Sequence, residues 1–138
     1  MIHGSCLCGA FQFEINGRVS DLHRCHCSIC RKATGAGAIA VLATAFKSFE
    51  WIRGEDSLTK YERPGGWVAT FCKVCGTPAP RLHPNGKIWT IPVGCLDDDP
   101  ELKVAEHIFV GSIASWDHVS PGAEEYDEWD PRSAEYDD

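Results

Sequence analysis

The sequence predicts a mainly β domain that is built from short antiparallel strands. Thirteen glycines and eight prolines among 138 residues favour frequent turns over long helices. An apolar share of 43% is ordinary for a globular protein, and the length is typical of one domain. Eight cysteines, most of them closely spaced, offer metal ligands. A small β body of this kind gains stability from a metal staple.

Alternating or apolar segments mark the expected strands. In residues 10–15, Phe11, Phe13 and Ile15 alternate with polar or small residues, as in a half-buried strand. A hairpin is expected at residues 80–93, because Asn85 and Gly86 can supply the two positive φ angles of a type I′ turn. Further strands are expected at residues 37–44, 46–54, 57–63, 66–71 and 103–110, and a short helical turn at residues 27–35.

Charge divides the chain into a body, residues 1–120, and an acidic tail, residues 121–138. The tail holds eight acidic residues and one arginine, whereas twelve acidic and twelve basic residues cancel in the body. A neutral body lacks the basic footprint of nucleic-acid binding proteins. The composition of the tail favours a solvated, partly disordered segment whose removal leaves the melting temperature nearly unchanged. Tyr126 and Trp129 support the alternative, a docking role.

The sequence also predicts a protein of the reducing cytoplasm. The first residues, "MIHGSC", contain neither the basic nor the apolar region of a signal peptide. The longest apolar stretch, "GAGAIAVLATAF", is too short to span a bilayer, so no membrane partner is expected. In that compartment, eight cysteines indicate metal or redox chemistry rather than a disulfide framework.

Seven of the eight cysteines fall into close groups, and Cys95 stands alone. The groups are Cys6-x-Cys8, Cys25-x-Cys27-x-x-Cys30 and Cys72-x-x-Cys75. Two such turns together present four sulfurs to one ion, which is the closed tetrahedral site of structural zinc. Seven ligands cannot complete two four-sulfur sites. One site therefore has three cysteines and an incomplete shell, which is typical of zinc that does chemistry.

Two partitions of these ligands fit the spacing. Cys27 and Cys30 with Cys72 and Cys75 form a ribbon-like site. The other partition joins Cys6 and Cys8 to the Cys72-x-x-Cys75 turn and keeps the three central cysteines together. We favour the second, because three ligands within six residues converge on one ion at almost no loop-closure cost.

Five stretches in order carry a family resemblance: "GSCLCGAFQFEI", "CHCSICRKATG", "FCKVCGTP", "IPVGCLDDDP" and "HIFVGSIASW". With them the chain resembles the glutathione-dependent formaldehyde-activating enzyme family, whose domain also occurs in centromere protein V. The resemblance implies a zinc-stapled, β-tent-like fold. It implies a structural zinc on Cys6, Cys8, Cys72 and Cys75, and a second zinc on Cys25, Cys27 and Cys30, which the incomplete shell of three cysteines would leave exchangeable. The chain departs from the family in its shorter length and in Cys95, where a hydroxyl residue is common.

The expected activity is that of a carbon–sulfur lyase that joins a small thiol to a small aldehyde. A zinc ion with three thiolate ligands accepts a further soft thiolate and keeps it deprotonated. The resemblance implies glutathione and formaldehyde as substrates, as in S-(hydroxymethyl)glutathione synthase. The alternative is a non-catalytic zinc module that binds a thiol, a metal or a protein partner. Solvent access to the second zinc distinguishes the two.

The remaining candidate residues have simpler interpretations. His26 lies between two ligands and is expected to point away from the metal, and the other histidines are expected on the surface or in packing roles. Cys95 is expected as a small buried thiol, with a fourth ligand as the alternative. Arg31 and Lys32 follow the central cysteines and suit the carboxylates of an anionic substrate such as glutathione.

Overall fold

The computed structural model describes residues 1–131, and β-strands dominate them as predicted. The strands are β1 (Ile2–Ser5), β2 (Gln12–Ile15), β3 (Leu22–Cys25), β4 (Ile39–Ala45), β5 (Phe49–Arg53), β6 (Leu58–Glu62), β7 (Val68–Cys72), β8 (Arg81–Leu82), β9 (Ile88–Pro92), β10 (Val104–Ile108) and β11 (Glu124–Glu125). One α-helix, α1 (Ser28–Thr34), lies between β3 and β4. Within the described range, no helix combines the length and apolar character that a membrane crossing requires.

The strands form three sheets. The largest has the order β11-β10-β3-β4-β9-β8, the second β1-β2-β5, and β6 pairs with β7. Most pairs are antiparallel, but β10 runs parallel to both β3 and β11. The sequence pattern located α1 and all strands except β1, β3 and β11. These three have two to four residues each and carry few apolar side chains, so they show little periodicity.

An aromatic cluster between the sheets forms the main core. Phe13 on β2 and Phe11 just before it are almost completely buried. The ring of Phe49 stacks on Phe13 with 5.4 Å between centroids and on Trp89 at 4.2 Å, and Trp51 meets Phe49 edge to face. Offset-stacked and edge-to-face pairs are the favourable arrangements of aromatic rings. This core lies directly beneath the loop that carries the first cysteines.

The hairpin at residues 80–93 is confirmed, but its turn differs from the predicted type. β8 and β9 are antiparallel, with Leu82 opposite Trp89. Gly86 has a positive φ angle and Asn85 does not, whereas a two-residue type I′ turn requires positive φ at both central residues. The connection is therefore of another type. The Asn85 side chain instead accepts a hydrogen bond from the Lys87 amide at 2.8 Å and holds a longer loop.

The acidic segment packs on the body as far as the structure describes it, which differs from the solvated tail expected from charge. The amide of Tyr126 donates to the carbonyl of His107 at 2.9 Å, and that of Val110 donates to the carbonyl of Tyr126 at 3.0 Å. The ring of Trp129 meets Phe109 edge to face at 5.0 Å. Backbone pairing and the aromatic contacts outweigh the charge pattern, because four of the five described acidic side chains of the segment stay exposed and one, Asp130, is buried. Residues 132–138 of the tail lie outside the described residues.

Truncation after residue 120 is therefore expected to destabilise the protein. The variant loses β11 and the buried parts of Tyr126 and Trp129, which should lower the melting temperature by about 5–10 °C. Calorimetry measures this shift. The exposed charges are tested separately by Glu125→Gln with Glu128→Gln, which should change the melting temperature by less than about 2 °C. An unchanged melting temperature after truncation would support the solvated tail instead.

Candidate metal centres

The first cysteine cluster consists of Cys6, Cys8, Cys72 and Cys75. Two of its residues lie in the loop after β1, and two lie at the end of β7 and in the turn that follows. The four sulfur atoms lie within 4.8 Å of one another. The Cys6–Cys8 and Cys8–Cys72 sulfur distances are 3.6 and 3.8 Å. Sulfurs bound at about 2.3 Å to a tetrahedral zinc ion are about 3.8 Å apart. The cluster therefore fits zinc.

Local hydrogen bonds hold the two turns of this cluster together. The amide of Phe11 donates to the Cys6 sulfur at 3.3 Å. The hydroxyl of Thr77 accepts from the Leu7 amide at 3.1 Å and lies 3.2 Å from the Cys75 sulfur. Thr77 thus connects both turns. Its hydroxyl and amide lower the pKa of the Cys75 thiol to about 5, which favours the thiolate that a metal requires.

The second cysteine cluster consists of Cys25, Cys27 and Cys30. Cys25 ends β3, Cys27 caps α1 and Cys30 lies in the first turn of that helix. Their sulfur atoms also lie within 4.8 Å of one another. Within residues 1–131, this group has no fourth cysteine, histidine or carboxylate ligand. Cys25 and Cys30 are buried, whereas Cys27 is partly exposed, so solvent reaches one side of the cluster.

Hydrogen bonds among these three cysteines prepare thiolates for a metal. The Cys30 amide donates to the Cys27 sulfur at 3.3 Å. A hydrogen bond between Cys30 and Cys25 lowers the pKa of the Cys25 thiol and raises that of Cys30. A metal ion bound here would replace the thiol protons and satisfy both buried sulfurs.

Cys95 belongs to neither cluster. Its sulfur donates to the carbonyl of Pro78 at 3.0 Å, and burial raises the pKa of its thiol to about 12. These are the properties of a small buried thiol, the interpretation that the sequence favoured. Cys95 lies on the wall of a cleft of about 670 Å³ between the first cluster and the segment after α1. Ile39, which also lines this cleft, pairs with Cys25 of the second cluster.

Two arginines lie close to the second cluster. Arg81 donates to the carbonyl of Val68 at 2.6 Å and covers the Trp67 ring at 5.7 Å. Burial lowers the pKa of its guanidinium, and the electrostatic interaction with Cys30 opposes this effect. Arg31 follows Cys30, and its Nε atom is buried without a hydrogen-bond partner in the described chain. Neither arginine has a carboxylate within 4 Å in residues 1–131.

Comparisons with known proteins identify the family of this chain. Residues 1–112 match the model of a family described as glutathione-dependent formaldehyde-activating enzyme. The chain belongs to this family. A curated protein of Halomonas elongata, provisionally named a glutathione-dependent formaldehyde-activating enzyme, is 43% identical over 124 residues, covering 84% of this chain and 79% of the relative. A crystal structure of a Rhodobacter sphaeroides protein has the same fold, with a TM-score of 0.57 and 22% identity over 90% of this chain and 98% of that one.

The structure brings together the two sets of sulfurs that the family resemblance implied. Cys27 and Cys30 do not lie in one cluster with Cys72 and Cys75, which the ribbon-like alternative required.

Sequence reasoning missed the partner of His26. His26 points away from the sulfurs, as expected, but its ring hydrogen bonds to His107 and both rings are completely buried. The two histidines are 81 positions apart. Burial lowers the pKa of both, which favours neutral imidazoles. Spacing along the chain gave no signal for this pair.

Proposed function

We propose that this protein is a zinc-dependent enzyme that joins a small thiol to a small aldehyde, with glutathione and formaldehyde as the expected pair. The observation that carries the proposal is the second cluster, which offers three sulfurs, no fourth ligand within the described residues, and one partly exposed side. The provisional name of the Halomonas elongata relative supports this choice of substrates. The free cysteines favour a reducing compartment, the cytoplasm.

In the proposed site Cys25, Cys27 and Cys30 would hold zinc. When bound there, zinc supplies an acidic centre that lowers the pKa of a nearby thiol and so provides a nucleophile at neutral pH. The reaction is an addition: the thiol sulfur bonds to the aldehyde carbon, and the thiol proton ends on the aldehyde oxygen. No electrons are gained or lost overall. The reverse direction breaks the same carbon–sulfur bond.

The surrounding residues orient an anionic thiol. The partly buried guanidinium of Arg81 interacts electrostatically with Cys30, the buried Nε atom of Arg31 belongs to the next residue along the chain, and neither arginine has a carboxylate partner in residues 1–131. Arginine pairs strongly with carboxylates in partly desolvated places. These groups therefore suit the carboxylates of glutathione. In the same proposal, Cys6, Cys8, Cys72 and Cys75 hold a closed, structural zinc.

Cobalt substitution tests the open position of the second centre. Sulfur-to-cobalt charge-transfer bands of the cobalt protein should grow when glutathione is added, because a fourth sulfur joins three. The bands should not respond in Cys27→Ser. Cys95→Ser is the matched control, because this thiol lies outside both clusters and should leave the response intact. Stripping of the metal by excess thiol also indicates an accessible site.

The chemistry is tested by exchange between formaldehyde and its glutathione adduct, followed by NMR. Native zinc protein and Cys95→Ser should accelerate exchange above the uncatalysed rate, and Cys27→Ser should lose most of the acceleration. Absence of any spectral change or metal loss with thiols would contradict the open site. It would favour the alternative, a non-catalytic zinc module.

A further inference from the structure

His26 lies between two residues of the second cluster, yet its side chain makes its contacts elsewhere. Its Nε2 atom lies 2.7 Å from Nδ1 of His107, and the two rings stack with 5.0 Å between centroids. The backbone amide of His26 also donates to the carbonyl of Ile108 at 3.0 Å. The residue between Cys25 and Cys27 is thus tied at both backbone and side chain to β10 and its end.

The neighbours of the pair determine where its protons lie. The backbone amide of Ser120 donates to Nε2 of His107 at 3.1 Å, so this nitrogen carries no proton. The proton of neutral His107 is therefore on Nδ1, where it is donated to Nε2 of His26. His26 must then carry its own proton on Nδ1. Both histidines are neutral and have the Nδ1–H tautomer.

A carboxylate faces the far end of this chain of hydrogen bonds. Nδ1 of His26 and Nη2 of Arg24 each lie 3.7 Å from Oδ2 of Asp117. A negative charge there favours the proton on Nδ1 of His26. The same carboxylate is packed against the loop after α1, because a Cβ atom on Gly37 would collide with it. Asp117, which follows β10 in the chain, thus lies against His26 on one side of the second cluster and against Gly37, after α1, on the other.

We propose that His26 and His107 are positioning residues for the second metal centre. In an extended segment, successive side chains point to opposite sides. A His26 ring held in the interior therefore turns the Cys25 and Cys27 side chains away from itself, toward one common point. Directional hydrogen bonds fix the ring orientation, which an apolar pair of similar size would not do. This inference rests on the proposed function, since it assumes that the second cluster binds zinc.

Two variants of similar size separate the two hydrogen bonds of His107. In His107→Asn the amide can occupy the place of Nδ1 and still donate to His26, while the bond from Ser120 is lost. In His107→Gln the amide reaches the place of Nε2 and accepts from Ser120, while the bond to His26 is lost. Only the bond to His26 is expected to position the second centre.

The first readout is the rate of zinc release to a chromogenic chelator, with the first centre as an internal reference. We expect His107→Gln to release the second zinc about 10–100-fold faster than the native protein, and His107→Asn to stay within about threefold. The slow phase of the first centre should change little in either variant. Equal rates in the two variants would overturn the proposal. Loss of both centres in both variants would also overturn it, because the pair would then be a part of the core only.

The second readout is nitrogen-15 NMR of the histidine rings, which distinguishes the two neutral tautomers. Native protein should show Nδ1–H for both His26 and His107. An Nε2–H tautomer at either residue would overturn the proposed chain of bonds. The NMR result does not depend on thiol chemistry. If the native protein holds only one zinc ion and shows both Nδ1–H tautomers, the second cluster does not bind zinc. That result would overturn the proposed function, and it would also overturn the positioning role, because the histidines would have no metal centre to position. Two zinc ions without exchange activity would count against the enzyme alone.

Discussion

Cys72→Ser is expected to unfold the protein. Cys72 is completely buried at the end of β7, with its sulfur 3.8 Å from that of Cys8. Binding of a structural zinc by a four-sulfur site contributes about 10–16 kcal/mol of apparent free energy. The whole stability of a domain is about 5–15 kcal/mol, so the loss of this site exceeds what the core can offset. Circular dichroism and metal analysis should show loss of the β signal and of bound zinc.

Cys95→Ser is the matched control for burial and chemistry. Cys95 is also a buried cysteine, with 6% of its surface exposed, but its sulfur contacts a carbonyl rather than a second thiol. A serine hydroxyl can donate to the same carbonyl, so we expect a fall of only about 2–5 °C in the melting temperature. Zinc content should stay at two. A stable Cys72→Ser protein with two zinc ions would show that the assignment of ligands is wrong.

Cys25→Ser should behave differently from Cys72→Ser. The second cluster has three sulfurs, and its surroundings include a core of β3 and β10 residues around Ile108. A zinc ion bound there should therefore contribute less to folding than one in the closed cluster, and the variant should keep its fold and one zinc. This difference is what separates a structural from an exchangeable centre.

The sequence predicted the parts of this protein that depend on short-range patterns. Alternation along residues 10–15 located β2, and the close spacing of the cysteines located the turns of both clusters. Ligand count limited the pairing of sulfurs 64 positions apart, Cys8 with Cys72, to one of two partitions, and the low loop-closure cost of the three central cysteines favoured this one. Ligand count is a constraint that acts over any distance along the chain.

Long-range packing without such a count could not be predicted. β3 has a histidine and an arginine between Leu22 and Cys25, so its pattern is not apolar, although β10 and β4 flank it on both sides. Its placement depends on partners far away in sequence. The acidic segment was misjudged for the same reason. Charge predicts solvation, whereas β11 is held by the edge of β10, which the sequence does not reveal.

A glycine outside the first cluster, Gly54, supports it from one side. Gly54 has φ of 82°, in the region that disfavours side chains, and a Cβ atom there would overlap the carbonyl of Ala10 and crowd Phe11. These two residues follow the first cysteine turn, and the Phe11 amide donates to the Cys6 sulfur. The preceding residue, Arg53, donates to the carbonyl of Gly9 at 3.0 Å. The segment of Gly54 therefore fixes one side of the cluster.

Gly54→Ala is accordingly expected to affect both stability and metal binding. The left-handed conformation costs an alanine about 1 kcal/mol, and displacement of the Ala10 backbone adds about 1–3 kcal/mol. The melting temperature should fall by about 10 °C, and the first zinc should be released faster because the Phe11 amide shifts. Gly86→Ala is the control, with φ of 72° and no atom within 4 Å of its Cβ. It should cost about 1 kcal/mol and leave zinc release unchanged. If both variants lost equal stability and released zinc at the native rate, backbone strain alone would explain them, and the close approach of Gly54 to Ala10 would have no part in holding the cluster.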